Sequence, residues 1–141
     1  MKKQSGFTLI ELLVVIAIIG LLSTLAVVAL NNARMKARDA GRIHNVNQMR
    51  TVLDLYFDDE QGYPTAVTAG GSIIGPTSGT TYMGVVPTNP HPRNDGNCPD
   101  VEYSYTKDSA STYHITYCLG GGSGNISAGT HQATPASVIN P

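Results

Sequence analysis

The sequence predicts an α+β protein: a long N-terminal α-helix, transmembrane and then amphipathic, packed on a small antiparallel β-sheet head. Residues 7–30 form an almost unbroken apolar run, and residues 31–60 continue with helical periodicity and no proline. Residues 101–119 alternate apolar with polar side chains on both sides of a polar turn.

The apolar run reads FTLIELLVVIAIIGLLSTLAVVAL. A bilayer-crossing helix needs roughly 20 apolar residues at about 1.5 Å rise each, so the segment is long enough to span. Lys2 and Lys3 stand before it, which favours a cytoplasmic N-terminus. A secretory signal peptide has an apolar core of roughly 7–15 residues and a small-residue cleavage site at its far end. Here the core is about twice that length and contains a carboxylate, Glu11. Such a group costs about 2.5–3.5 kcal/mol near mid-membrane and less near the edge. It therefore calls for a cationic partner, and another copy of the chain is the candidate.

The stretch Gly6-Phe7-Thr8-Leu9-Ile10-Glu11-Leu12-Leu13-Val14-Val15-Ile16-Ala17-Ile18-Ile19-Gly20 resembles the N-terminal signature of type IV pilins and type II secretion pseudopilins. The resemblance implies a leader over residues 1–6, removed by a prepilin peptidase that cuts between Gly6 and Phe7 and N-methylates Phe7. It implies that Glu11 pairs with the Phe7 amine of a neighbouring subunit, which supplies the missing cation. It also implies a pilin fold, with residues 7–30 serving as membrane anchor and then as filament core. The family's usual proline about twenty-two residues after cleavage is replaced here by Val28, leaving Gly20 and Gly41 as the softer points of the helix.

In residues 31–62, Ile43, Val46, Met49, Leu53 and Tyr56 recur at spacings of three and four, flanked by Val52 and Phe57, the stripe of an amphipathic helix. Arg34, Lys36, Arg38 and Arg42, with Asp39 among them, read as a solvated basic collar at the lipid headgroups. The sharper reading is pairing between subunits, with Asp58, Asp59 and Glu60 or with the sheet. Those three acids oppose the helix macrodipole, so helix stability does not account for them. Gln61-Gly62-Tyr63-Pro64 ends the helix, with Gly62 expected in the left-handed cap and Pro64 forbidding continuation. This stop also resembles pilin-like proteins.

Residues 63–141 form the predicted head, near the lower size limit for a self-supporting core. Residues 63–100 are rich in Gly, Thr, Ser and Pro and are expected to be a long, mostly irregular loop, with a short turn or strand at 82–86. Val86-Pro87-Thr88-Asn89-Pro90 resembles a Pro-rich element of related pseudopilins. In the hairpin 101–119, matching apolar faces opposes Val101 to Ile115 and Tyr103 to Tyr113. The same register opposes Glu102 to His114 and brings Cys98 opposite Cys118. A disulfide there closes a loop worth about 3 kcal/mol in an exported, oxidising setting. The tail 120–141 is Gly/Ser/Thr-rich, with an edge strand expected near 125–128 and mobile last residues.

The chain carries a net charge of −1, and loss of Lys2 and Lys3 with the leader leaves −3. No nucleic-acid partner is predicted from that balance. His44, His91, His114 and His131 fall on a helix, a loop, a strand and the tail, with no nucleophile–base or metal-ligand spacing. No glycine-rich loop opens a helix after a strand. The sequence therefore predicts neither an enzyme nor a cofactor. The nearest approach to a metal site is Asn94-Asp95-Gly96-Asn97 with Asp100 and Glu102, in which Asp95, Asn97 and Asp100 are the candidate calcium ligands. The spacing is not that of an EF-hand, and Asn-Asp-Gly is a good turn by itself.

Function is placed in assembly. The first reading is a structural subunit of a type IV pilus-like filament, a homo-oligomer built on an assembly platform. It starts as a single-pass inner-membrane precursor and ends in an extracellular or periplasmic filament. The alternative is a pseudopilin of a type II secretion system, towards which a calcium loop leans; the long Thr/Gly-rich stretches lean towards a surface filament. A Sec-exported adhesin or enzyme would instead require cleavage near Ala29 or Ala33.

Overall fold

The computed structural model describes residues 6–137. The leader lysines and the last four residues of the predicted tail lie outside the described residues. Two compact units divide the chain, Met1–Arg34 and Met35–Pro141, and helix α1 (Leu9–Glu60) begins in the first and ends in the second.

In the first unit every described side chain is exposed, Leu9 at 87% and Ile10 at 75% among them. A helix apolar on all sides is suited to a membrane or to a core, and α1 contains a stretch long and apolar enough to cross a bilayer. Its hydroxyls are paired internally, Ser23 Oγ donating to Ile19 O at 2.7 Å and Thr24 Oγ1 to Leu21 O at 2.8 Å. Returning a hydroxyl to the preceding turn removes its need for water.

In the second unit the buried stripe of α1 runs Asp39, Arg42, Val46, Met49, Leu53, Tyr56. The last four join Tyr63, Ile73, Val86, Tyr113, Ile115, Tyr117, Leu119 and Ala133 in one core, with Ile43, Val52 and Phe57 packed against it. The aromatic rings contact one another edge-on or tilted, as in Tyr63–Tyr113 at 4.6 Å between centroids, an arrangement favoured by their quadrupoles. Towards the N-terminal side of this unit the stripe changes from apolar to charged without leaving the interior.

The helix stop differs from expectation in one residue. Gln61, not Gly62, takes the left-handed conformation, with φ of 56°. Its backbone N–H donates to Phe57 O at 2.9 Å and its side-chain amide to Asp58 O at 2.8 Å. The side chain thereby satisfies one of the terminal carbonyls that a glycine would leave to water.

The 63–100 segment is more ordered than its composition predicts. It carries the antiparallel pair β1 (Ile73–Ile74) and β2 (Thr81–Met83), tied to the end of α1. Glu60 accepts from Ser78 N at 2.9 Å, Ser78 Oγ at 2.7 Å and Thr77 N at 3.2 Å. Asp59 Oδ2 accepts from Tyr82 O–H at 2.8 Å. Two of the three terminal acids are thus explained by the loop they hold.

A second sheet has the order β3 (Ser104–Lys107), β4 (Tyr113–Leu119), β5 (Gly129–Ala133), antiparallel throughout. The predicted hairpin register is corrected. Tyr113 faces Lys107 and Ile115 faces Tyr105, in place of Tyr103 and Val101. The cause is a longer turn: Asp108 N and Ser109 N both donate to Thr112 O, at 3.0 and 3.1 Å. Lys107 Nζ also anchors β3 on Tyr63 O at 2.6 Å. The shift moves each partner by an even number of residues, so Tyr113, Ile115 and Tyr117 keep their inward face. Val101, expected inside, is 54% exposed and precedes the strand. Cys118 pairs across the sheet with Thr130 rather than Cys98, and the Cys98–Cys118 disulfide, with Cα atoms 5.7 Å apart, fastens a loop to β4. In the tail the strand lies at Gly129–Ala133, beyond the expected 125–128, because the glycine-rich turn continues to Ser123–Ile126. Gly122 there has φ of 77°, and a Cβ would meet Ile126 O at 2.6 Å. Arg50 on α1 holds the segment after β5 by donating to Thr134 O and Pro135 O, each at 2.9 Å.

Candidate functional site

Residues Gly6, Phe7 and Thr8 precede the first turn of α1 and are exposed, Phe7 at 79%. The Gly6–Phe7 bond therefore lies outside the helix, and among the described residues beyond its chain neighbours none comes within 4 Å of where a Gly6 Cβ would stand. A peptidase needs such accessible, non-helical backbone.

Thr8 and Glu11 form a reciprocal cap at the start of α1. Glu11 Oε2 accepts from Thr8 N at 2.8 Å and from Thr8 Oγ1 at 2.7 Å, while Glu11 N donates to Thr8 Oγ1 at 3.2 Å. This is a capping box, in which an N-cap hydroxyl and a glutamate three residues on satisfy each other's backbone donors. The Thr-x-x-Glu spacing in the sequence is the signal for this cap. The carboxylate is thus locally solvated by its own chain, and its Oε1 takes no hydrogen bond among the described residues. One oxygen caps the helix and the other is free to accept from an incoming donor.

Of the calcium candidates, Asp95 and Asp100 lie beside guanidinium groups. Asp95 faces two guanidinium groups: Arg38 Nε and Nη2 donate to its two oxygens at 2.6 Å each, and Arg42 Nη2 to Oδ2 at 3.0 Å. Hydrogen bonding from Arg38 holds the Asp95 carboxyl below the usual carboxylate range in spite of its burial. Asp100 lies 3.7 Å from Arg93 Nη1, and Asn97 is exposed. Arg93 also pairs with Glu102. No group of three His, Cys, Asp or Glu ligands occurs among the described residues.

The basic collar is corrected. Arg34 and Lys36 are exposed, but Arg38 is committed to Asp95 and Arg42 is fully buried. Arg42 Nη1 donates to Asp39 Oδ1 at 2.7 Å and Nε to Asn89 Oδ1 at 2.9 Å; Asp39 in turn accepts from Gly120 N and Gly121 N at 3.0 and 2.8 Å. Reading polarity as exposure missed this cluster. The three-and-four spacing, continued back from Val46, lands on Arg42 and Asp39 and was the available signal.

Residues 1–27 match the family model described as the prokaryotic N-terminal methylation motif. The chain is 34% identical over 94 residues to type II secretion system core protein G of Vibrio cholerae, covering 67% of this chain and 58% of that protein. It is 41% identical over 63 residues to core protein G of Escherichia coli K12, covering 45% and 43%. It is 37% identical over 83 residues to the prepilin peptidase-dependent protein D of the same strain, covering 59% and 56%. The chain thus spans about half the length of the relatives it matches. No solved structure matches it significantly.

Proposed function

The chain belongs to the type IV pilin and pseudopilin family, and from that premise we propose that it is a pseudopilin-type filament subunit serving a type II secretion system. The observation that carries the filament-subunit part of this reading is the methylation motif, laid over an exposed, non-helical Gly6–Phe7 bond ahead of an all-round apolar helix. Cleavage there leaves Phe7 as the new terminus, four residues before Glu11. A subunit in the inner membrane then offers an amine and a carboxylate at nearly the same depth as those of its neighbours. Extraction from lipid exchanges lipid contacts for helix contacts with little net apolar gain. Pairing of Glu11 with a neighbour's Phe7 amine supplies direction, and the Glu11 oxygen left free by Thr8 is the one to accept it.

The likeness to type II secretion core protein G favours secretion over the surface pilus placed first by the sequence. The Gly/Thr-rich stretches that had favoured a surface filament are partly folded, into β1, β2 and β5. The likeness to the prepilin peptidase-dependent protein supports processing at this motif and is common to both filament readings.

The test is genetic complementation. A strain lacking the gene should accumulate an exported protein in the periplasm, and the wild-type chain should release it. Glu11→Ala should still insert and be processed yet fail to complement. Full complementation by that variant would refute the pairing. Normal secretion in the deletion strain, with loss of surface filaments, would move the assignment to a pilus.

A further inference from the structure

The loop over residues 89–95 is wrapped around Arg42 as a coordination loop is wrapped around an ion. Six oxygens converge on one guanidinium: Asp39 Oδ1 at 2.7 Å, Asn89 Oδ1 at 2.9 Å, Asp95 Oδ2 at 3.0 Å, Pro92 O at 3.1 Å, Arg93 O at 3.3 Å and Pro90 O at 3.5 Å. Both Arg42 and Asp39 are fully buried. Backbone carbonyls turned inward on a loop are otherwise costly, since each must find a donor. Here the helix delivers a guanidinium with its N–H donors in a fixed plane, and the two hydrogens of Nη2 are shared among three carbonyls of an irregular segment and Asp95.

We propose that Arg42 is a tethered cation occupying the place of a metal ion in this loop, so that the head folds independently of calcium and its oxygen cage is selective for a planar guanidinium. Two arguments separate this from a calcium site awaiting its ion. The first is charge. Arg38 and Arg42 already balance Asp39 and Asp95, so a divalent ion would add two uncompensated charges beside two guanidinium groups. The second is geometry. Calcium requires six to eight oxygens at about 2.3–2.6 Å from one point. Here the oxygens keep hydrogen-bond lengths from three separate nitrogens, with Asn89 on Nε at 2.9 Å, Asp39 on Nη1 at 2.7 Å and the other four on Nη2 at 3.0 to 3.5 Å. The loop is further closed by the disulfide at Cys98, so the chain supplies covalently both the cross-link and the cation. This inference concerns the head alone and does not depend on which filament the chain serves.

The experiment uses the full chain in detergent micelles. Wild-type protein should show the same melting temperature in EDTA as in calcium chloride and should carry less than one calcium per chain by elemental analysis. A lower melting temperature in EDTA that calcium restores, or a bound stoichiometric calcium, overturns the proposal. Arg42→Ala should melt at lower temperature, and millimolar ethylguanidinium should raise that temperature where ethylammonium at the same ionic strength does not. Equal rescue by both, or no rescue of a folded variant, overturns the selectivity of the cage. Should Arg42→Ala fail to fold, Arg42→Lys decides. It keeps the charge but presents three donors from one point and should melt below wild type; wild-type melting of the lysine variant overturns the proposal.

Discussion

The two ends of α1 hold charge in opposite ways. In the apolar half a single carboxylate, Glu11, is satisfied by Thr8, three residues away in the chain. In the head, Asp39, Arg42 and Asp95 are satisfied by one another and by loops more than 40 residues distant in sequence. Local pairing leaves the Glu11 group exposed and half-committed, available to a partner. Long-range pairing buries the head cluster and commits every member. One charge suits assembly and the others suit folding, a difference set by what surrounds each side chain rather than by its type.

Substitutions in the head should have the largest effects. Asp39→Ala should strip Arg42 of its closest acceptor and orphan the N–H groups of Gly120 and Gly121. Removing one partner of a buried pair costs about 3–5 kcal/mol, so the head of this variant should be unfolded or strongly destabilised in thermal melts followed by near-ultraviolet circular dichroism. Replacing both Cys98 and Cys118 by serine should cost about 3 kcal/mol, the entropy of a closed loop of this size, measured by urea unfolding in micelles. Thr8→Val should affect only the other region. Loss of the capping box should cost about 1 kcal/mol locally, seen as faster amide exchange in the first turn of α1 with the melting of the head unchanged.

The smallest expected effect sharpens the comparison at the junction with β1 and β2. Hydrogen bonds from Ser78, then Thr77, lower Glu60 from 4.5 to about 2. Its folded-state value is depressed, so its contribution is complete above pH 4.5 and is lost as pH falls towards about 2. In wild type the melting temperature should therefore drop across that window, and Glu60→Gln should flatten part of the drop. An identical slope in the variant would show that Glu60 does not hold the loop.

Legibility in the sequence followed the same division. The apolar half declares itself because a run of this length with one carboxylate has few physical explanations, and the Gly6-to-Gly20 motif is read residue by residue. The stripe from Val46 to Tyr56 was legible from its period. The hairpin faces were legible from alternation, but the register was not. Alternation fixes only odd against even, while the turn at Asp108–Thr112 and the Lys107 anchor choose among the even registers. Asp39, Arg42 and Asp95 were misread because charge was taken as a sign of solvent or metal, when their partners came from loops whose paths no local pattern specifies. Gln61 took the place expected of Gly62 because its side chain could reach the Asp58 carbonyl, a compensation invisible to a propensity argument.

The central claim is that the Gly6–Phe7 bond is the processing site of an assembling subunit. The most direct test is the intact mass of the chain purified from the membrane and sheared-filament fractions of its native cell. The expected species begins at N-methylated Phe7 and is lighter by two hydrogens for the disulfide. A chain that keeps its first six residues in every fraction, or one cut near Ala29 or Ala33, would contradict it.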